Sequence, residues 1–119
     1  MDAQMEILGN SLIVKLKGEL DHHQSENLRM KIDSYFSGNN LINMVMDLNE
    51  LTFMDSSGIG LIMGRYRNVT ENKGELLIAC KNDVIVRILD MSGLLNIIKL
   101  YRNLDTAIMN IKGVKNYGK

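Results

Sequence analysis

NMVMDLNELTFMDSSGIGLIMGRYRNVT, residues 43–70, decides the fold. Met44, Val45, Met46 and Leu48 form a nearly continuous apolar run, the pattern of a strand covered on both faces. Ile59, Ile62, Met63, Tyr66 and Thr70 then follow at i, i+3, i+4, i+7 and i+11, the spacing of one helix face. The chain therefore passes from an interior strand to a helix near Ser57, and Asp55-Ser56-Ser57-Gly58 is the turn between them.

That turn constrains the chemistry. A helix N-terminus presents unpaired N–H groups and the positive end of the helix dipole, which favours a negative group. Gly58 and Gly60 leave the backbone open to a close approach. The residues alone allow two roles for Ser56 and Ser57: they cap the helix, or one of them accepts a phosphate. Asp55 is expected to orient the turn through hydrogen bonds to nearby backbone N–H groups.

On the N-terminal side, Met5–Leu8 and Leu12–Leu16 flank Gly9-Asn10, a hairpin signal that makes the first strand antiparallel to the second. Gly18-Glu19-Leu20-Asp21 is a turn, after which Leu28, Ile32, Tyr35 and Phe36 lie on one helical face. Asp21 or Ser25 begins that helix, and Gly38-Asn39-Asn40 ends it, with glycine as the left-handed stop. On the C-terminal side, Asn72-Lys73-Gly74 closes the central helix before a strand over residues 75–80. Asn82 or Asp83 caps a third helix carrying Val84, Ile85, Ile88 and Leu89 on its apolar side, and Ser92-Gly93 ends it. Ile97, Ile98 and Leu100 make a short last strand. Asn103 or Asp105 starts a final helix with Leu104, Ala107, Ile108 and Ile111 at helical spacing, and residues 114–119 are expected to fray. Strands alternating with helices imply a mainly parallel sheet with right-handed crossovers, an α/β fold with about four helices.

The chain has 119 residues, the length of a single domain spanning 1–119, and zero formal net charge. A neutral chain without a basic patch is ill suited to nucleic acid, where affinity rests on neutralising phosphates, so a protein partner is expected. No run approaches the roughly 20 apolar residues needed to cross a bilayer, and the N-terminus lacks a basic region followed by an apolar one, so a cytoplasmic protein is expected. A monomer is expected as well. Cys80, the single cysteine, follows an apolar run and reads as a small buried hydrophobe. The nine methionines read chiefly as core fillers.

Four stretches in order, Gly18-Glu19-Leu20-Asp21-His22-His23, Phe53-Met54-Asp55-Ser56-Ser57-Gly58-Ile59-Gly60, Gly64-Arg65-Tyr66 and Asp90-Met91-Ser92-Gly93-Leu94, resemble the anti-sigma factor antagonists of the STAS family, above all its sporulation branch. The resemblance spans nearly the whole chain. It implies a βα superhelix whose parallel strands lie in sequence order, with the helices mainly on one face. It implies phosphorylation of the second serine of the motif, here Ser57, by an anti-sigma factor serine kinase that binds ATP or ADP. It also implies release of a sporulation sigma factor by the unmodified form, and dephosphorylation by a metal-dependent serine phosphatase. The loops at the carboxyl ends of parallel strands share one edge, which places Asp21 beside Ser57. Asp21, Asp55, Ser56, Ser57, Gly58, Ile59 and Gly60 are the expected partner-binding surface, with Asp21 suited to an arginine of the partner.

Competing patterns are weaker. A hydrolase elbow requires Gly-x-Ser-x-Gly, and neither serine has it: Asp55 and Ile59 flank Ser57, Met54 and Gly58 flank Ser56. His22 and His23, the only histidines, have no evident carboxylate partner for catalysis and are not completed into a metal site by any Cys or His cluster, so no catalytic residue, metal or cofactor is expected. The alternative is a nucleotide-binding regulatory module, because Gly58-x-Gly60-x-x-x-Gly64 resembles a dinucleotide turn with one spacer too many. The opposing reading makes Gly60 and Gly64 one helix face packed closely on a neighbour.

Overall fold

Gly9 and Asn10 reverse the chain between β1 (Asp2–Leu8) and β2 (Ser11–Leu20), which pair antiparallel with Met5 opposite Val14. This is a computed structural model that describes residues 1–111; the expected frayed tail lies outside the described residues. α1 (His22–Gly38) follows the hairpin, and three strand-to-helix units come after it: β3 (Asn43–Met54) with α2 (Ser56–Glu71), β4 (Leu76–Ala79) with α3 (Asp83–Met91) and a 3-10 turn (Leu94–Asn96), and β5 (Lys99–Tyr101) with α4 (Leu104–Asn110). The strands stand in the order β1-β2-β3-β4-β5, and every pair from β2 onward is parallel, as the strand-helix alternation requires.

Two apolar layers hold the sheet. On one face Leu12, Val14, Met44, Met46 and Ile78 meet Leu28, Ile32 and Phe36 of α1, Leu61, Ile62 and Val69 of α2, and Ile85 and Leu89 of α3. On the other, Ile13, Val45, Leu77 and Ala79 meet Ala107 and Ile111 around α4. β4 is buried along its whole length, which explains its unbroken apolar sequence.

Each helix that leaves a strand is capped by a carboxylate or amide at the strand end. Asp21 accepts from Gln24 N–H (3.1 Å), Asp55 from Ser57 N–H (2.9 Å), Asn82 from Val84 N–H (2.9 Å) and Asn103 from Thr106 N–H (2.8 Å). Two helices end on a left-handed residue that is not a glycine, which after α1 differs from the expectation. It is Asn40 (φ 53°) after α1 and Lys73 (φ 63°) after α2. Asn tolerates this region through its short polar side chain. Gly74 serves packing instead, since a Cβ there would overlap the Ile42 carbonyl oxygen and lie 2.7 Å from its carbon.

Other differences are of phase and exposure. β3 runs to Met54, far past the expected Met44–Leu48 core, because the register shifts twice against β2, with one extra β3 residue each time. These bulges put Leu51 and Met54 on one buried face three residues apart and hide the period of two. Gly18 sits at the second irregularity with φ +105°, a conformation that excludes most side chains. On α2 the buried line is Gly58, Leu61, Ile62, Arg65 and Val69, so Thr70 is exposed and Val69 takes its place. Tyr35 is exposed, and Val84 is 67% exposed although it was expected on the apolar side of α3. Met44, Met46 and Met54 fill the core, whereas Met30, Met91 and Met109 are exposed.

Candidate functional site

β2 and β3 project beyond β4, and their last residues, Leu20 and Met54, are register partners. Asp55 N–H donates to the Leu20 carbonyl (3.3 Å), so the chain leaves both strands at the same level. The two turns therefore stand side by side: Asp21 opening α1 and Asp55 opening α2. The bulges in β3 set this level, because without the two extra residues Asp55 would not stand opposite the end of β2.

Asp55, not a serine, caps α2. Its side chain holds Ser57 N–H at 2.9 Å, and its carbonyl accepts from Gly58 N–H at 3.0 Å. Ser56 and Ser57 are thus the first two residues inside the helix. Ser56 is exposed and Ser57 half-buried, and the Ser57 hydroxyl makes no hydrogen bond to a described residue. Its oxygen stands at the positive end of a sixteen-residue helix. Asp21 is half-buried, with Ser25 Oγ donating to its carbonyl (2.8 Å). His22 and His23, exposed in the first turn of α1, meet edge to face with ring centroids 6.0 Å apart.

The glycines divide. Gly58 is buried beneath the turn; a Cβ there would run into Met54, 2.9 Å from its Sδ, and lie 3.1 Å from Leu20 Cδ2. It packs α2 on the strand ends, so no side chain fits at this position. Ile59 is half-buried against the core. A Cβ added at Gly60 or Gly64 would meet no atom of another element within 4 Å, which overturns the expectation that they pack closely on a neighbour. They extend bare helix surface from Ser57 along α2. Phe53 (46% exposed) is the last but one residue of β3, two before Asp55, and Val84 is the second residue of α3, after Asp83.

Cys80 is buried; desolvation pushes its thiol up, a backbone contact at Asn82 opposes, and the Asp47 charge adds to the rise. It is not a reactive group.

The chain belongs to the STAS domain family, whose model matches residues 2–107. It is 40% identical over 114 residues to an anti-sigma F factor antagonist of Paenibacillus polymyxa, covering 96% of this chain and 97% of that one. It is 33% identical over 95 residues to the anti-sigma F factor antagonist of Lysinibacillus sphaericus, covering 79% and 81%. Among solved structures, the Bacillus cell fate determinant SpoIIAA in its phosphorylated form superposes with a TM-score of 0.72 at 29% identity, covering 90% of this chain and 96% of that one.

Proposed function

We propose that this protein is an anti-sigma factor antagonist whose unmodified form binds an anti-sigma factor serine kinase and frees a sporulation sigma factor, and that phosphorylation of Ser57 switches it off. One observation carries the reading: the Ser57 hydroxyl has no hydrogen bond to any described residue, at the N-terminus of α2 with the Asp21 turn beside it. The relatives named as anti-sigma F factor antagonists, matched over nearly the full chain, supply the biological setting.

The switch needs no refolding. A phosphoryl group adds about −1.5 to −2 charges and three strong acceptor oxygens, which the α2 N-terminus tolerates. A partner surface that docks here on a desolvated contact does not. Opposition of about 3–4 kcal/mol, the cost of crowding a buried polar contact, lowers affinity by two to three decades. Asp21, Asp55, Ser56, Ser57, Ile59 and Gly60 form the face the kinase reads, Asp21 meeting a partner arginine; a serine phosphatase resets the switch.

Size-exclusion chromatography with the kinase and ADP tests this. Unmodified protein and Ser57→Ala co-elute with the kinase, whereas the phosphorylated protein and Ser57→Asp elute alone. Co-elution of the phosphorylated form contradicts the proposal.

A further inference from the structure

Arg65 is the only charged residue buried among the described residues, 7% exposed, on the α2 line that faces α1. Its Nε stands 2.9 Å from Asp33 Oδ1. The N–H is not aligned for a hydrogen bond, and Nη1 is buried with no acceptor among the described residues, so the contact is electrostatic. Asp33 is shared: Arg29 Nη1 approaches its other oxygen at 3.6 Å, and Arg29 is itself held by Glu26 at 2.6 Å. Burial lowers the Arg65 guanidinium from its ordinary value, Asp33 opposes, and the Arg29 charge adds to the lowering.

Such a pair is a poor way to hold two helices together, since an apolar pair of similar volume is commonly as stable or more so. What it adds is selection. Leu28, Ile32 and Phe36 against Leu61, Ile62 and Val69 are apolar contacts that tolerate small slides of α2 along α1. A lone buried cation does not, because moving it off Asp33 strands it. At 1.5 Å rise per residue, Arg65 lies roughly 12 Å along α2 from Ser57. A displacement of α2 at Arg65 is therefore felt where Ser57 faces the Asp21 turn.

We infer that Arg65 is a positioning residue: its contact with Asp33 sets the register of α2 on α1 and so holds Ser57 and the Asp21 turn as one surface. The inference rests on the proposed switch and deepens it.

Arg65→Met, which leaves Asp33 with Arg29, is expected to raise KM for phosphorylation by the kinase about tenfold or more with kcat little changed. Asp33→Asn shifts KM the same way, and the double variant is no worse than the worse single, because both remove one contact. Arg29→Ala leaves KM unchanged. Wild-type KM in Arg65→Met overturns the inference, as do losses that add in the double variant. Should Arg65→Met fail to fold, wild-type KM in Asp33→Asn does the same. A kinase-free readout separates this from the switch itself: the amide resonances of Gln24 and Ser57, which donate to Asp21 and Asp55, move in Arg65→Met and Asp33→Asn but not in Arg29→Ala. Unmoved resonances overturn the inference, whereas wild-type protein that takes no phosphate on Ser57 counts against the switch and leaves the resonance test standing.

Discussion

Replacing Asp55 with alanine removes the acceptor 2.9 Å from Ser57 N–H and the negative charge at the α2 N-terminus. Loss of an N-cap side chain costs about 1 kcal/mol, within a range of roughly 0.5–2. The charge at the helix end accounts for about 0.3–1 kcal/mol of that kind of effect. Asp55 is half-buried, so solvent screens its charge incompletely and the sum should fall near 1–2 kcal/mol. For a domain of this size that lowers the thermal midpoint by about 3–6 °C per kcal/mol. Asp55→Asn keeps an oxygen for Ser57 N–H and loses only the charge, so it should cost a few tenths of a kcal/mol. Urea unfolding followed by circular dichroism reads both variants, and amide exchange at Ser57 and Gly58 reads the local fraying of the first turn. An Asp55→Ala midpoint equal to wild type, or an Asp55→Asn loss as large as the alanine loss, would refute the reasoning.

Two glycine substitutions should move stability in opposite directions. Gly74→Ala forces a Cβ onto the Ile42 backbone and should cost about 3 kcal/mol or more, beyond the usual range for overpacking a side chain. Gly60→Ala, with open space on α2, should stabilise by about 0.5–1 kcal/mol and, on the proposed reading, weaken kinase binding; urea midpoints and a pull-down separate the two effects. Asn82→Ala should cost more than Asp55→Ala in the same urea assay, since Asn82 also donates to the Leu51 carbonyl (3.3 Å). Because the folded Cys80 thiol ionises at higher pH than in the unfolded chain, unfolding releases the proton once pH passes the ordinary thiol range of about 8.5–9, and this contribution to stability is lost as pH rises toward the folded value. Urea titrations from pH 7 to 10 should show the decline, and Cys80→Ala should flatten it.

Much of the architecture was legible because its signals are local. Gly9-Asn10 announces the hairpin, and strands alternating with helices give a parallel sheet. The capping positions Asp21, Asn82 and Asn103 stand where cap chemistry places them. What escaped depends on contacts distant in sequence. The bulges that lengthen β3 exist only against β2, so the spacing of Leu51 and Met54 made no strand pattern. Arg65 occupies a core phase of α2, but a charge in that phase reads as solvent-facing until Asp33 of α1 is seen opposite. Gly58 and Gly60 look alike in sequence, yet one lies on Met54 and Leu20 and the other on open space. The serine turn itself was visible, and so was Asp55 holding a nearby backbone N–H, that of Ser57; the residues alone left the cap to the serines, whereas Asp55 takes it and leaves both hydroxyl-bearing residues inside the helix.

The central claim is that the hydroxyl of Ser57 is the group the kinase modifies. Incubation of the purified protein with the anti-sigma factor kinase and ATP, followed by mass-spectrometric mapping of the peptide containing residues 54–65, tests it directly. The account predicts a single phosphate on Ser57, absent in Ser57→Ala; phosphate on Ser56 alone, or undiminished incorporation in Ser57→Ala, would contradict it.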